Sequence, residues 1–292
     1  MIRIFKRIRL IPKLVSILIF KKVKINDVHY RCPASFRVAK VAAQHEKHEE
    51  EVELYFRLAS KVKPQGAFLD VGANVGQTLL KVFEYFSDRQ YIGFEPQTPA
   101  ASMVDQLLSL NNFNGMCLPI GLSEKSGFVK LGRSRKDDQS ASIDSSYRPS
   151  DFHESETVIP VLTGDEVREG IGIDSVSVLK IDVEGAELEV LRGFRRTIEN
   201  CRPLLVFEVL PSNYVIKTKS ALPEATRIYR ERKVTEMSDF LESCAMTIFV
   251  FDQVLKKVDK IKPNERSIQN VLAVPNEYAE KVTSTASELV TS

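Results

Sequence analysis

The chain has 292 residues, of which 43% are hydrophobic and 27% are charged. This length and composition are those of a globular protein with one large buried core, and they exclude a disordered or fibrous chain. The four cysteines are scattered singly, with no CxxC or Cys/His spacing, which argues against a structural zinc site and a disulfide scaffold. We therefore expect reduced thiols in a cytoplasmic protein, and nothing in the sequence requires a metal.

The net charge of +2 conceals an uneven distribution along the chain. Residues 1–24 contain eight basic residues and no acidic one, whereas the rest of the chain has 33 basic and 39 acidic residues. A basic N-terminal segment on an acidic body predicts contact of that segment with an anionic partner. The body has no net basic charge, so we expect no nucleic-acid partner.

The basic segment has the periodicity of an amphipathic helix over residues 2–20. Ile4, Ile8 and Ile11 fall on one side of this helix, and Arg3 and Arg7 fall on the other. Its longest uncharged run is much shorter than the roughly 20 residues that span a bilayer. Two interpretations remain open, a helix lying on an anionic membrane at its inner face and a helix docked on the domain.

The rest of the chain divides into a helical extension, one alternating domain and a short tail. With the basic segment, a helix predicted over residues 44–62 makes an N-terminal extension that ends near residue 60. Residues 61–280 alternate between strand and helix patterns, which predicts an α/β domain. A polar stretch at 132–156 predicts a long loop, and residues 281–292 predict a frayed tail. Strands are predicted at 68–71, 91–94, 115–122, 177–181, 204–210, 247–251 and 270–274, and helices at 77–86, 99–110, 186–199 and 233–243.

A glycine-containing turn follows the first strand of this domain, in the order Asp70, Gly72, Asn74 and Gly76. Glycines let a ligand approach the backbone closely, and the free N–H groups that begin the next helix attract an anionic group. Glu95 ends the second strand, where a carboxylate accepts hydrogen bonds from ribose hydroxyls. Both NAD and S-adenosylmethionine are compatible with these residues, but the missing GxGxxG pattern favours the methyl donor.

An acidic segment, LKIDVEGAELEVLRG, begins at residue 179 and runs from an apolar strand into a helix. Asp182 and Glu184 are predicted at the carboxyl end of a central strand, beside the glycine turn, where a carboxylate can act as a general base. Glu187 also fits a helix N-terminus, where it complements the helix dipole. Lys180 lies within the apolar strand and needs a partner, for which Asp182 and Glu208 are candidates.

The four segments DVGANVG, IGFEP, LKIDVEGAELEVLRG and PLLVFEV, in this order and spacing, resemble the FkbM family of S-adenosylmethionine-dependent methyltransferases. The resemblance covers residues 68–210, about half of the chain. It implies a class I methyltransferase fold, which is a Rossmann-like α/β fold with a seven-stranded, mostly parallel sheet flanked by helices. It also implies methylation of a hydroxyl oxygen on a sugar or another secondary metabolite.

The resemblance further implies S-adenosylmethionine as the cofactor and identifies the residues that bind it, which are Asp70, Gly72, Asn74, Gly76, Glu95, Gly121 and Ser123. The first four match the turn that binds the methionine moiety, Glu95 matches the acid that binds the ribose, and the last two match the stretch near the adenine. Asp182 and Glu184 match the acidic segment that faces the transferable methyl group, and we predict them as the catalytic residues.

Three other features belong to this comparison. Ser140 and Ser142 resemble a serine-rich spot of the family, and His153 in the same stretch is a second candidate for the base. The chain departs from the family at Thr163-Gly164-Asp165, where many members carry Thr-Leu-Asp, and this departure concerns a packing position.

These residues predict an O-methyltransferase that acts on a hydroxyl of a sugar, glycolipid or secondary metabolite, with a small molecule or glycan as the substrate. Two other classes remain open. One is an NAD-linked oxidoreductase, which the missing GxGxxG pattern disfavours. The other is a catalytically silent, membrane-associated binding module, which the intact Asp70, Glu95 and acidic segment disfavour.

Overall fold

The computed structural model describes residues 20–25, 28–33, 50–63, 65–134, 137–144, 147, 155–215, 220–265 and 267–291. The helix predicted over 2–20 lies outside these residues except for its last residue, and so does His153, so both stay predictions. Among the described residues, no helix is both long enough and apolar enough to cross a bilayer.

The centre of the molecule is an eight-stranded sheet. Its strands are β3 (Ala67–Val71), β4 (Tyr91–Phe94), β5 (Gly115–Leu118), β10 (Val176–Ile181), β11 (Leu204–Val209), β14 (Met246–Asp252), β15 (Val254–Val258) and β16 (Gln269–Pro275). Their order is β15-β14-β16-β11-β10-β3-β4-β5. The last five strands of this order are parallel, and β16 is antiparallel to both of its neighbours. The predicted class I methyltransferase fold is confirmed, with an eighth strand, β15, added at the edge.

Helices cover both faces of this sheet. They are α1 (Glu50–Val62), α2 (Gln77–Tyr85), α3 (Thr98–Leu110), α4 (Gly164–Gly170), α5 (Glu187–Gly193), α6 (Arg195–Cys201), α7 (Glu224–Ser243) and α8 (Ala279–Thr291). Neighbouring strand residues point to opposite faces, so Phe68 and Val178 lie in one apolar core and Leu69 and Leu179 in the other. Two buried layers of this kind leave only the ends of the strands open to a ligand.

A second sheet takes up both ends of the long loop predicted over 132–156. It contains β6 (Gly121–Leu122), β7 (Gly127–Ser134), β8 (Asp137–Ser142) and β9 (Ser155–Leu162), in the order β6-β9-β7-β8. The loop prediction is wrong for β8 because its polar side chains have no strand alternation. Its strand pairing comes from backbone hydrogen bonds to β7 instead.

The two ends of the chain also differ from their predictions. The N-terminal extension contains a hairpin of β1 (Phe20–Ile25) and β2 (Val28–Pro33), which was not predicted. Asn111, which follows α3, fixes this hairpin by exchanging two hydrogen bonds with the Arg31 backbone, at 2.8 and 2.9 Å. The frayed tail is wrong, because the last residues form α8, whose Val282 is buried against the core. A short ladder of β12 (Tyr214–Val215) and β13 (Ser220–Ala221) precedes α7.

A lysine of α7 ties the second sheet to the main domain. Lys233 Nζ lies 2.7 Å from both Asp144 Oδ2 and Glu189 Oε2, and it donates a hydrogen bond to the Gly185 carbonyl at 2.8 Å. Burial by itself lowers the pKa of this lysine, but Glu189 and Asp144 outweigh burial and raise it. Tyr229 donates a further hydrogen bond to Asp144 at 3.0 Å. We call these five residues the Lys233 cluster.

Next to the Lys233 cluster, a buried arginine fixes the chain that follows β8. Arg230 is 1% exposed and donates to the Tyr147 carbonyl at 3.0 and 2.8 Å and to the Pro211 carbonyl at 2.6 Å. The ring of Tyr147 lies against the backbone of Gly185, where a Cβ would come within 2.5 Å of it. Tyr147 therefore packs directly on the acidic segment.

Replacing Lys233 by methionine should lower the free energy of unfolding by about 3 kcal/mol, because it leaves two carboxylates without their buried cation. Chemical denaturation measures this change. The matched control is Lys260→Met, which removes an ion pair to Asp239 whose two side chains are both 57% exposed. That control should cost less than about 1 kcal/mol. Equal losses in the two variants would contradict a structural role for the Lys233 cluster.

Candidate functional site

A cavity of about 310 Å³ opens at the carboxyl ends of the parallel strands. The chain forms β3, β4 and β5 in turn from the centre of the sheet to one edge and then returns to add β10 and β11 on the other side of β3, so the direction of the strand order reverses between β3 and β10. Open α/β sheets bind their ligands at such a switch point. The turns after β3, β4 and β10 all contribute to the cavity wall, which includes Gly72, Glu95 and Asp182.

The glycine turn packs against the turn that follows β10. Gly72 has a φ of +81°, and a Cβ at this position would lie 1.8 Å from the Asp182 carbonyl oxygen. The Asp182 N–H in turn donates to the Val71 carbonyl at 2.9 Å. Only glycine permits this approach, so the glycine turn and the acidic segment are held together as one site.

Glu95 fixes the other side of the glycine turn. Its carboxylate accepts hydrogen bonds from the Asn74 N–H at 3.0 Å and from the Gln97 N–H at 2.8 Å. Burial raises the pKa of this carboxyl, and the two backbone hydrogen bonds oppose that shift. Glu95 and Asn74 both line the cavity, as predicted, next to Gln77 and Thr78 at the start of α2. Backbone N–H groups at this helix end favour an anionic ligand group.

Asp70 lies beneath the glycine turn and does not line the cavity. It is fully buried, where its Oδ2 accepts a 2.7 Å hydrogen bond from Tyr91 and its Oδ1 lies 3.3 Å from Lys180 Nζ. The sequence predicts a direct contact of Asp70 with the methionine moiety, but in the structure the side chain of Asp70 does not reach the cavity. Its charge acts on the site through Lys180, which also lies 3.3 Å from Asp182 Oδ2. Asp182 was among the expected partners of Lys180, and Asp70 was not.

The acidic segment leaves β10 in a strained turn. Glu184 has a φ of +58°, which is uncommon for a residue with a side chain and typical of functional turns. Glu187 stabilises this turn by accepting hydrogen bonds from the Val183 and Gly185 N–H groups at 3.2 and 3.1 Å. Asp182 and Glu184 line the cavity, whereas Glu187 is buried behind them. The side chain of Asp182 is 39% exposed and so is accessible to a substrate.

Some of the remaining predicted residues line the cavity, and the others support the elements that form it. Gly121 lines the cavity, but Gly76, Ser123 and Ser142 do not. Gly76 begins α2, with Leu107 of α3 occupying the space where a Cβ would be. The Ser123 N–H donates to the carbonyl of Leu162 at 3.0 Å, within the second sheet.

Ser142 instead forms part of a turn, in which its hydroxyl accepts from the Asp144 N–H at 3.2 Å. Nothing is described of the Ser140 side chain. At the departure from the family pattern, a Cβ on Gly164 would lie within 2.4 Å of the Phe194 ring, so this is a packing position.

Sequence reasoning missed several residues of the wall. Leu131 of β7 and Ile143, which follows β8, line the cavity, as do Lys180, Glu208 and Ile268. The sequence identifies Lys180 only as a cation in need of a partner, and Glu208 only as one of its two candidate partners. Lys180 and Glu208 are polar residues in otherwise apolar strands, and this was the feature of the sequence that could have identified them as part of the site.

The pKa of Glu208 is raised well above its ordinary value. Burial is the largest cause, the negative charges of Asp182, Glu184 and Glu187 add to it, and Lys180 opposes it. Within the described residues, no group of three or more histidine, cysteine, aspartate or glutamate side chains is arranged to hold a metal ion. Carboxylates and one lysine therefore provide the charged chemistry of this wall.

Comparison with known proteins identifies one family and several related folds. The model of the methyltransferase FkbM domain matches residues 70–246. A solved methyltransferase FkbM from Methylobacillus flagellatus is 17% identical to this chain, with a TM-score of 0.44. The match covers 72% of this chain and 43% of that protein, so this chain spans less than half of its length. An O-methyltransferase from Bacillus cereus, solved with SAH, is 12% identical with a TM-score of 0.44, over 82% and 87% of the two chains. No curated protein matches the chain.

Replacing Glu187 by glutamine should change how stability depends on pH. Burial raises the pKa of Glu187 from 4.5 to about 7, and its two backbone hydrogen bonds only partly oppose this. Between these pH values the native state holds a proton that the unfolded chain has lost, so the wild-type chain loses stability as the pH rises through this range. Glutamine does not titrate. The free energy of unfolding of Glu187→Gln minus that of the wild type should therefore increase by on the order of 3 kcal/mol from pH 4 to pH 8.

Denaturation at a series of pH values measures this difference, in which all other titrating groups cancel. The control is Glu199→Gln, which alters a carboxylate on α6 that is 43% exposed and paired with Arg195. Its difference from the wild type should stay within about 0.5 kcal/mol. A difference that is independent of pH in Glu187→Gln would show that the pKa of this carboxyl is the same in the native and unfolded states and is not raised by burial.

Proposed function

Since the chain belongs to the FkbM methyltransferase family, we propose that it transfers a methyl group from S-adenosylmethionine to a hydroxyl oxygen of a sugar, glycolipid or secondary metabolite. The observation that carries the oxygen acceptor is Asp182, an accessible carboxylate on the cavity wall beside the glycine turn. Family membership decides against an NAD-linked oxidoreductase.

S-adenosylmethionine is the cofactor, and the cavity has the chemistry to hold it. When bound, it supplies a methyl group on a positively charged sulfur, which leaves with the bonding electron pair as the new bond to oxygen forms. Asp182 and Glu184 line the cavity beside Lys180, and their carboxylates make this part of the wall suitable for a cationic ligand. Glu95 still has lone pairs for ribose hydroxyls, and the cavity volume of about 310 Å³ is within the range of small-molecule sites.

The residues of the chain bind the cofactor, limit the access of water and accept the proton. Glu95 and Asn74 hold the cofactor side of the cavity, and Leu131 of β7 with Ile143, which follows β8, forms an apolar part of the wall that limits the access of water. Asp182 Oδ accepts the proton of the acceptor hydroxyl, and Lys180 Nζ, at 3.3 Å, holds this carboxylate in position. Alignment of the acceptor accounts for most of the remaining rate enhancement.

Replacing Asp182 by asparagine should lower kcat by at least about 100-fold and leave the affinity for S-adenosylhomocysteine unchanged within threefold, because only the proton acceptor is lost. Replacing Glu95 by alanine should instead weaken that affinity by about 10-fold or more. Transfer of a tritiated methyl group to a fractionated cell-envelope extract measures kcat, and calorimetry measures the affinity.

The control for both variants is Asp239→Asn, an exposed carboxylate outside the cavity. Full turnover in Asp182→Asn would overturn its assignment as the base. Absence of methyl transfer from the wild-type chain to every fraction would overturn the oxygen acceptor, and it would favour a binding module without catalytic activity.

We also propose that the N-terminal segment of residues 1–24 contacts anionic lipid at the inner face of a membrane, where a lipid-linked acceptor is methylated. The support is in the described hairpin, where Lys22, Lys24 and Arg31 are exposed and Phe20 is 40% exposed. Exposed basic residues near an anionic surface each contribute about 1 kcal/mol to binding. All four cysteines are free thiols, which fits a reducing cytoplasm.

Reversing the charge of Lys22 and Lys24 with glutamates should weaken binding to phosphatidylglycerol vesicles by about 10-fold or more, and vesicle sedimentation measures it. The control pair for the same substitutions is Lys256 and Lys260. Lys256 lies in β15, at the opposite edge of the main sheet, and Lys260 follows that strand. Equal binding by both double variants would reject the membrane contact of this hairpin.

A further inference from the structure

Glu208 lies beside Asp182 on the same face of the main sheet. In the parallel pairing of β10 with β11, Lys180 is opposite Val206 and Ile181 is opposite Phe207. The next pair in this register is Asp182 and Glu208. Residues paired in this way point to the same face from strands about 4.8 Å apart, and both of these line the cavity. The two carboxyl groups therefore face the same ligand from adjacent strands.

The two carboxyl groups differ in their surroundings. Lys180 lies 3.3 Å from Asp70 and 3.3 Å from Asp182, so its charge is shared by those two aspartates. Within the described part of the chain, no group donates a hydrogen bond to the Glu208 carboxyl. Burial and the charges of Asp182, Glu184 and Glu187 raise its pKa, and Lys180 only partly opposes them. Glu208 therefore keeps its proton at pH values where an exposed glutamate is ionised.

A neutral carboxyl group next to a charged one gives the wall a donor beside an acceptor. A buried polar group without a partner is costly, so a donor facing a cavity is satisfied by the ligand that enters it. A protonated carboxyl also resembles, in its hydrogen bonding, an amide that donates. Asp182 and Glu208 together match a ligand that offers one O–H group and one oxygen acceptor side by side.

We propose that Glu208 is an acceptor-binding residue, which donates a hydrogen bond to the oxygen next to the hydroxyl that loses its proton to Asp182. The substrate class is then a compound with oxygens on two adjacent carbons, as in the vicinal diol of a sugar ring. This inference rests on the proposed transfer of a methyl group to oxygen. Glu208 takes no proton in the reaction, so its contribution is to binding and to the choice of the hydroxyl.

Two substitutions of Glu208 separate hydrogen-bond donation from charge. Glu208→Gln keeps a donor, and its KM for the acceptor should stay within threefold of the wild-type value. Glu208→Ala removes the donor and should raise that KM by about 10-fold, with kcat within about threefold. The measurement is tritiated methyl transfer to the acceptor fraction of the cell-envelope extract, and the affinity for S-adenosylhomocysteine should be unchanged in both variants.

The dependence of kcat/KM on pH gives a readout that a merely structural role would not change. The wild-type value should fall at alkaline pH as Glu208 loses its proton, and Glu208→Gln should remove this fall. The charged groups that face Glu208 are Asp182, Glu184, Glu187 and Lys180, and they are the same in both chains. The control is Glu53→Gln, a half-buried glutamate of α1 bonded to Tyr85 at 2.8 Å, which should keep the wild-type profile.

The outcomes distinguish this inference from the function on which it rests. If the wild-type chain transfers methyl groups and both Glu208 variants keep its KM, Glu208 does not bind the acceptor. If Glu208→Gln is as impaired as Glu208→Ala, the group acts as a carboxylate and the inference is wrong. If the wild-type chain methylates no fraction, the proposed function fails and this inference fails with it.

Periodate treatment of the extract tests the substrate class directly, because periodate cleaves the bond between two carbons that carry adjacent hydroxyls. Acceptance of the tritiated methyl group should fall by more than 10-fold after treatment and quenching. Undiminished labelling of the treated extract by the wild-type chain would overturn the vicinal class while leaving the methyl transfer itself established.

Discussion

The site depends on one buried lysine that neutralises two aspartates on neighbouring strands. Lys180 lies in β10, between Asp70 of β3 and the Asp182 that follows β10, at the point where the strand order reverses. Without this cation, Asp70 would be a charge buried without a counter-ion, which is far more costly than a surface charge. The same lysine sets the position of the Asp182 carboxylate, so the stability of the sheet and the chemistry of the cavity rest on one side chain.

The number of positive charges in this region is smaller than the number of carboxyl groups. Lys180 pairs with Asp70 and Asp182. The pKa values of three other carboxyl groups, Glu95, Glu187 and Glu208, are all raised, chiefly by burial. A carboxyl group with a raised pKa keeps its proton to a higher pH than an exposed carboxyl group does, so it can donate a hydrogen bond as well as accept one. Such a wall also suits a positively charged ligand on one side and a hydroxylated one on the other.

The second sheet and the residues that follow β8 form one wall of the cavity. Leu131 of β7 and Ile143, which follows β8, contribute apolar side chains to this wall, and Asp144 fixes the chain after β8 by pairing with Lys233 of α7. Lys233 also binds the Gly185 carbonyl in the acidic segment. One lysine thus links the cover of the cavity, the helix beneath it and the turn that carries Glu184, so that substrate contacts on these elements are fixed relative to each other.

The sequence by itself determined the local elements and the residue types of the site. Strand and helix patterns located β4 and α3 closely, since apolar periodicity records which side of each element is buried. The residues Glu95, Asn74 and Asp182 were correctly placed at strand ends because the carboxyl ends of parallel strands share one edge. The tertiary structure decided the rest. The burial of Asp70 under Lys180, the position of Glu208 and Asp182 on one cavity wall, and the strand pairing of the polar β8 all depend on contacts between segments far apart in the chain, which no local pattern encodes.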